Sequence, residues 1–81
     1  MLTELAKSPK VVGAKQVKRA LEGDRALTVF LAADADPRVT EPIAAQCAGK
    51  GVGVETIPTM RELGKACGIS VGAAVAATVT E

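Results

Sequence analysis

One short segment near the start of the chain gathers the groups that bind anions and read polar edges. In Gly13-Ala14-Lys15-Gln16-Val17-Lys18-Arg19 a glycine turn delivers the chain into a helical stretch. The first N–H groups of any helix lack intrahelical partners, and the helix dipole makes that end favourable for negative charge. Lys15, Gln16 and Arg19 surround this point. Gln16 offers donors and an acceptor, while Lys15 and Arg19 donate to phosphate oxygens or to base acceptors. Charge and spacing alone fit either a groove reader or an ordinary solvated helix face. The Lys-Ser/Thr pair of a nucleotide-binding phosphate loop is absent, which argues against ATP or GTP hydrolysis.

A second segment, Leu63-Gly64-Lys65-Ala66-Cys67-Gly68-Ile69-Ser70-Val71-Gly72, places two β-branched apolar residues after a helix-ending glycine. Two readings stand side by side. Ile69 and Val71 either point into the core, or they form with Gly68 and Ser70 an apolar loop that packs against exposed bases.

Catalytic chemistry has little to work with. The chain has no His, and no Ser or Cys has a visible base partner. Asp34 and Asp36 beside Pro37 read as turn-forming and helix-capping groups rather than as metal ligands. Cys47 and Cys67, twenty residues apart, cannot form a zinc site, which takes four ligands usually set in close pairs, so they read as buried free thiols. No enzyme activity, metal or cofactor is expected.

The elements that must carry these segments follow from hydrophobic period and punctuation. Leu2–Lys7 is a short amphipathic helix with Thr3 as its N-cap, interrupted by Ser8-Pro9. Lys10–Val12 reads as a strand and Gly13 as a turn. Ala14–Glu22 is a helix with Val17, Ala20 and Leu21 on one face, ended by Gly23 as the residue after its cap. The apolar run Leu27–Ala33 fits a strand covered on both faces. After the Asp34–Pro37 turn, a helix is expected over Thr40–Ala48 with Thr40 as cap and Pro42 in its first turn, closed by Gly49-Lys50-Gly51. Val52–Ile57 is a further strand, stopped by Pro58. Thr59 and Glu62 have capping-box spacing for a helix that ends near Cys67-Gly68, and Ala73–Thr80 is a last strand. Strict alternation of helix and strand implies a largely parallel or mixed sheet with helices on both faces.

Composition sets limits on what such a fold can bind. Eighty-one residues make one domain, and 48% apolar content supports a core. That content is mostly Ala and Val, and Phe30 is the sole aromatic residue, so the layers should pack closely in a thin α/β domain. A lone Phe cannot serve as a base-stacking platform of the kind found on RNA-recognition sheets. Any nucleic acid must therefore be held by charge, hydrogen bonds and backbone shape. Net charge is only +1, yet Leu5–Leu21 holds Lys7, Lys10, Lys15, Lys18 and Arg19 and no acid. No apolar run is long enough for a membrane span and no signal-peptide pattern opens the chain, so a soluble cytoplasmic protein is expected.

At these segments the chain resembles the L-seven-Ae family of kink-turn RNA-binding ribosomal proteins, in its short bacterial form. The resemblance rests on "VVGAKQVKRAL" at Val11–Leu21, "AADADP" at Ala32–Pro37, "CAGKGV" at Cys47–Val52 and "LGKACGISVGAAV" at Leu63–Val75. It implies a three-layer α/β/α sandwich around a four-stranded mixed sheet, with residues 1–81 as one RNA-binding domain. It also implies binding to kink-turns, which are duplexes bent sharply at a three-nucleotide bulge flanked by tandem sheared G·A pairs. The start of the second helix would enter the widened groove and read the guanines. Archaeal and eukaryotic members carry Gly-x-Asn-Glu there, with Lys three residues after the Glu; Gly13, Lys15, Gln16 and Arg19 occupy those places here. Gln in place of Glu removes a charged acceptor, Lys15 adds a cation, and Arg19 replaces a point charge by a planar fork. Gly13, Ala14, Lys15, Gln16, Lys18 and Arg19 are thus assigned to RNA. Gly68, Ile69, Ser70 and Val71 match the loop that covers the bulged nucleotides.

The implied partner is a structured RNA with a kink-turn, in ribosomal RNA, a riboswitch or a similar molecule, bound by a monomer, with no DNA and no membrane involved. Two other classes compete. One is a ribosome- or ribonucleoprotein-associated accessory subunit acting through protein contacts on the Ala- and Val-rich surface of the last strand and fourth helix. The other is a small enzyme or metabolite binder that uses the positive helix start as an anion site.

Overall fold

The structure is a computed structural model that describes residues 2–80, with side chains from residue 5 onward. Eight elements alternate along the chain: α1 Leu2–Lys7, β1 Lys10–Val12, α2 Ala14–Glu22, β2 Ala26–Ala32, α3 Pro37–Lys50, β3 Gly53–Ile57, α4 Met60–Ala66 and β4 Val75–Val79. The strands form one mixed sheet in the order β1-β4-β2-β3. β4 runs antiparallel to both β1 and β2, and β3 lies parallel to β2. The expected three-layer α/β/α sandwich is present.

Alternation along the two central strands divides the core. Phe30, Ala32 and Ala76 face α1 and α4, where they meet Leu5, Ile57, Leu63 and Cys67. Val29, Leu31, Val75 and Ala77 face α2 and α3, where they meet Val17, Leu21, Ile43 and Cys47. Side chains on successive strand residues point to opposite faces, so a strand covered on both sides must be apolar throughout. β4 satisfies this fully, with all of Val75–Val79 buried. Its one polar member, Thr78, bridges the shifted register beside Ala26/Thr28, accepting from Thr28 N–H at 3.2 Å. The small side chains keep the molecule thin, its shortest Cα extent being 19 Å.

Several element boundaries differ from expectation. α3 begins at Pro37 rather than Thr40, because Asp36 caps it through Arg38 N–H at 2.9 Å and Pro37 supplies a first helical residue that needs no N–H partner. Pro42 therefore lies inside this helix, which continues because Ile43 and Cys47 are buried against the sheet. α2 ends at Gly23, but Gly23 is not left-handed; Asp24 takes that conformation, with φ of 56°. α1 begins at Leu2, so Thr3 stands within its first turn rather than ahead of it. β2 spans Ala26–Ala32 and is covered on both faces only from Val29 onward, while Leu27 is exposed. β4 starts at Val75, which leaves Ala73 and Ala74 outside the strand. Thr59 caps α4 as its spacing predicts, accepting from Glu62 N–H at 3.1 Å.

Candidate functional site

α2 is positioned by burial of Val17, Ala20 and Leu21, and this leaves Lys15, Gln16, Lys18 and Arg19 exposed. Gly13 turns the chain into it with φ 101° and ψ 150°. A Cβ at Gly13 would meet nothing within 4 Å, so the requirement for glycine is one of backbone conformation, not of space. No side chain caps the helix start, and its first turn has no acidic residue. The first N–H groups of α2 are thus open to an outside acceptor, among exposed cations. Among the described residues, the cations held in ion pairs are Arg38 with Asp36 and Lys50 with Asp24. Lys15, Lys18 and Arg19 retain undivided charge for a partner.

The apolar loop is built by a different device. α4 ends at Ala66 with Cys67 as its C-cap, and Gly68 opens the loop with φ of 78°. Ile69 N–H donates to the Gly64 carbonyl at 3.1 Å, folding the loop back onto its own helix. A Cβ on Gly64 would run into the carbonyl oxygen of Val71, far inside any permitted contact. Here glycine is required by close approach. With the backbone held so near α4, Ile69 and Val71 turn outward, and Val71 is 68% exposed. Of the two readings of these side chains, burial in the core is therefore excluded.

Three consecutive residues join the two segments. Ala73 N–H donates to the Met60 carbonyl at 3.0 Å, at the start of α4. The Ala74 carbonyl accepts from Ala32 N–H at 2.9 Å, at the end of β2. The Val75 carbonyl accepts from Gly13 N–H at 3.0 Å, at the entrance to α2. The cationic helix start, the apolar loop and the β2–α3 turn accordingly share one end of the sheet. At this same end the Asp36 carboxylate is clasped by the Arg38 guanidinium, at 2.8 Å for the closest pair, which holds its carboxyl below the usual carboxylate range. Arg38 thereby offsets a negative charge that would otherwise oppose an anionic partner.

Residues 2–81 match the family described as "Ribosomal protein L7Ae/L30e/S12e/Gadd45 family". The chain belongs to this family. Members with which it is similar include an RNA-binding protein of Caldanaerobacter subterraneus subsp. tengcongensis, 42% identical over 96% of this chain and 95% of that protein. An RNA-binding protein of Halalkalibacterium halodurans is 45% identical over 83% of this chain and 82% of its own length. Among solved structures, the Giardia lamblia 15.5kD RNA binding protein superposes with a TM-score of 0.86 at 29% identity, covering 99% of this chain and 68% of that one.

Within this L-seven-Ae architecture, the start of α2 at Gly13 and the loop Gly68 to Val71 stand at the same end of the sheet, while Arg19 lies in the last turn of α2. Two further residues emerge that sequence reading did not single out by role. Gly64 sets the height of the loop above α4. Its signal is its place inside a helix, where glycine costs about 1 kcal/mol relative to alanine and calls for a packing reason. Asp34 is not merely a turn residue: its Oδ1 accepts from Met60 N–H at 2.7 Å, linking the β2–α3 turn to α4 across twenty-six residues. No sequence signal pairs these two. Cys47 and Cys67 are free and buried, and burial pushes both thiols up; at Cys67 the nearby Lys10 charge opposes part of that rise. Among the described residues, the Ala- and Val-rich contact surface expected on the last strand and fourth helix is not present, because β4 is buried and the exposed residues of α4 include charged Arg61, Glu62 and Lys65.

Proposed function

We propose that this chain is a non-catalytic RNA-binding protein that recognises a kink-turn, acting as a monomer in the cytoplasm, in association with the ribosome or with another structured RNA. The observation that carries this reading is the backbone connection Gly13–Val75 and Met60–Ala73, which brings an uncapped cationic helix start and an exposed apolar loop to one end of the sheet. Such a pair suits an RNA that presents two unlike features together. A widened groove with guanine edges and close phosphates would meet Lys15, Gln16, Lys18 and Arg19, while bases expelled from a bulge would cover Ile69 and Val71. A regular RNA duplex offers neither a readable major groove nor unstacked bases. The RNA-binding names of the bacterial relatives and of the Giardia protein support the same partner class. By binding the bent form better than the extended one, the protein would shift the RNA toward the bend.

The test is a titration of a short kink-turn RNA, labelled with a fluorophore at each end, beside a control whose G·A pairs are replaced, at two salt concentrations. Tight binding with a rise in energy transfer only for the first RNA is the expected result. Equal, salt-sensitive binding to both would reduce the interface to a general basic patch.

A further inference from the structure

α4 is a seven-residue helix, too short to hold its place by its own hydrogen bonds. Its start is fixed by two side-chain acceptors from different parts of the chain. Thr59 Oγ1 accepts from Glu62 N–H at 3.1 Å, and Asp34 Oδ1 accepts from Met60 N–H at 2.7 Å. Met60 is also the residue against which the far end of the apolar loop rests. Its carbonyl accepts from Ala73 N–H, and a Cβ on Gly72 would lie 3.1 Å from its own Cβ. The near end of the loop rests on Gly64 of the same helix. Both ends of the loop are thus hydrogen-bonded to α4, and the acceptor nearest the start of α4 belongs to the β2–α3 turn, which is itself anchored to the sheet by Ala33 N–H on the Ile57 carbonyl at 2.7 Å.

We propose that Asp34 is a positioning residue of the interface: by anchoring the start of α4 to the sheet, it sets the distance between the apolar loop and the cationic start of α2, and so the preference for a bulged, bent RNA over a plain duplex. This rests on the RNA reading above. Asp34 is exposed and carries a negative charge at the end of the molecule that meets the RNA, where its charge alone would weaken every RNA. Its value to the site lies in the hydrogen bond, not in the charge.

The two contributions separate with three variants. Asp34→Asn removes the charge and keeps an oxygen that can accept from Met60 N–H. Asp34→Ala removes both. Thr59→Ala removes the other acceptor and leaves charge unchanged. Each is titrated with the kink-turn RNA and the G·A-replaced control, and the readout is the ratio of the two affinities, which loss of folded protein alone leaves unchanged. Asp34→Ala is expected to lower this ratio by up to about fivefold, the limit reached when the whole worth of one helix cap is felt only in the kink-turn complex, whereas Thr59→Ala, which leaves the link to the β2–α3 turn in place, should lower it less. Asp34→Asn should keep the ratio and bind both RNAs somewhat more tightly. An unaltered ratio in Asp34→Ala, with wild-type protein still discriminating, would overturn the proposal and leave the RNA reading intact. If Asp34→Ala fails to fold, loss of the ratio in Asp34→Asn, which keeps the acceptor, overturns the proposal instead, and so does a fall in Thr59→Ala that Asp34→Asn shares. Absence of discrimination in the wild-type protein would instead remove the RNA reading beneath it.

Discussion

Gln16 and Lys18 stand two residues apart on α2, both exposed, and the chemistry open to them differs. An amide can donate and accept along a base edge, whereas an ammonium meets phosphates as a point charge. Gln16→Ala should therefore cost about 1–3 kcal/mol on a kink-turn and much less on the G·A-replaced control. Equal losses on both RNAs would count against base reading. Lys18→Ala should weaken both RNAs alike and lower the salt slope by about 1, as measured by titration over a range of salt concentrations. Asp36 gives a prediction of another kind. Arg38 holds its carboxyl below the ordinary range, so the ionised form supports folding above that range and loses this effect as pH falls through the folded-state value. The drop in Tm caused by Asp36→Ala should be full near neutrality and should narrow below about pH 4.

Elements were legible in the sequence wherever a local rule had no competitor. α2 and α4 have the expected cores because Val17, Ala20 and Leu21 recur at helical spacing and Thr59 has a capping partner three residues on. The start of α3 is less legible because two good caps, Asp36 and Thr40, lie four residues apart, and Pro42 favours the later one. The choice was settled by Pro37, which suits the first helical position, and by burial of Ile43 and Cys47 over a longer helix. For the candidate site, the cationic helix start could be read from residue types, but the outward turn of Ile69 and Val71 could not. That orientation depends on Gly64 meeting the Val71 carbonyl, a contact between a helix and its own loop that no periodicity reports. Two effects compete in Gly64→Ala. Alanine gains about 1 kcal/mol of helix propensity, while the collision with a backbone oxygen cannot be relieved by a rotamer and overpacking of this kind costs about 1–3 kcal/mol. The second should win, giving a lower Tm together with weaker binding to bulged RNA; a rise in Tm would show that the loop can move away freely.

Taken whole, the molecule is a thin sandwich of alanine and valine around one aromatic ring. Phe30 is the largest fully buried side chain, set where β2 faces α1 and α4. Phe30→Ala should cost about 3–5 kcal/mol, against about 4–12 kcal/mol for a domain of this length. Urea unfolding followed by circular dichroism should show a markedly lower midpoint, and an unchanged midpoint would mean that the small residues around it can close the gap. The connection running through Ala73, Ala74 and Val75 has a further consequence. Each of its three hydrogen bonds uses main-chain atoms alone, and none involves Lys15, Gln16 or Arg19, so exchanging these exposed residues leaves the bonds in place. The positions proposed to read the RNA can therefore be exchanged while the frame stays put. Lys15, Gln16 or Arg19 could be replaced to retune base preference, one letter at a time, on a mount that gives no account of the change to the rest of the fold.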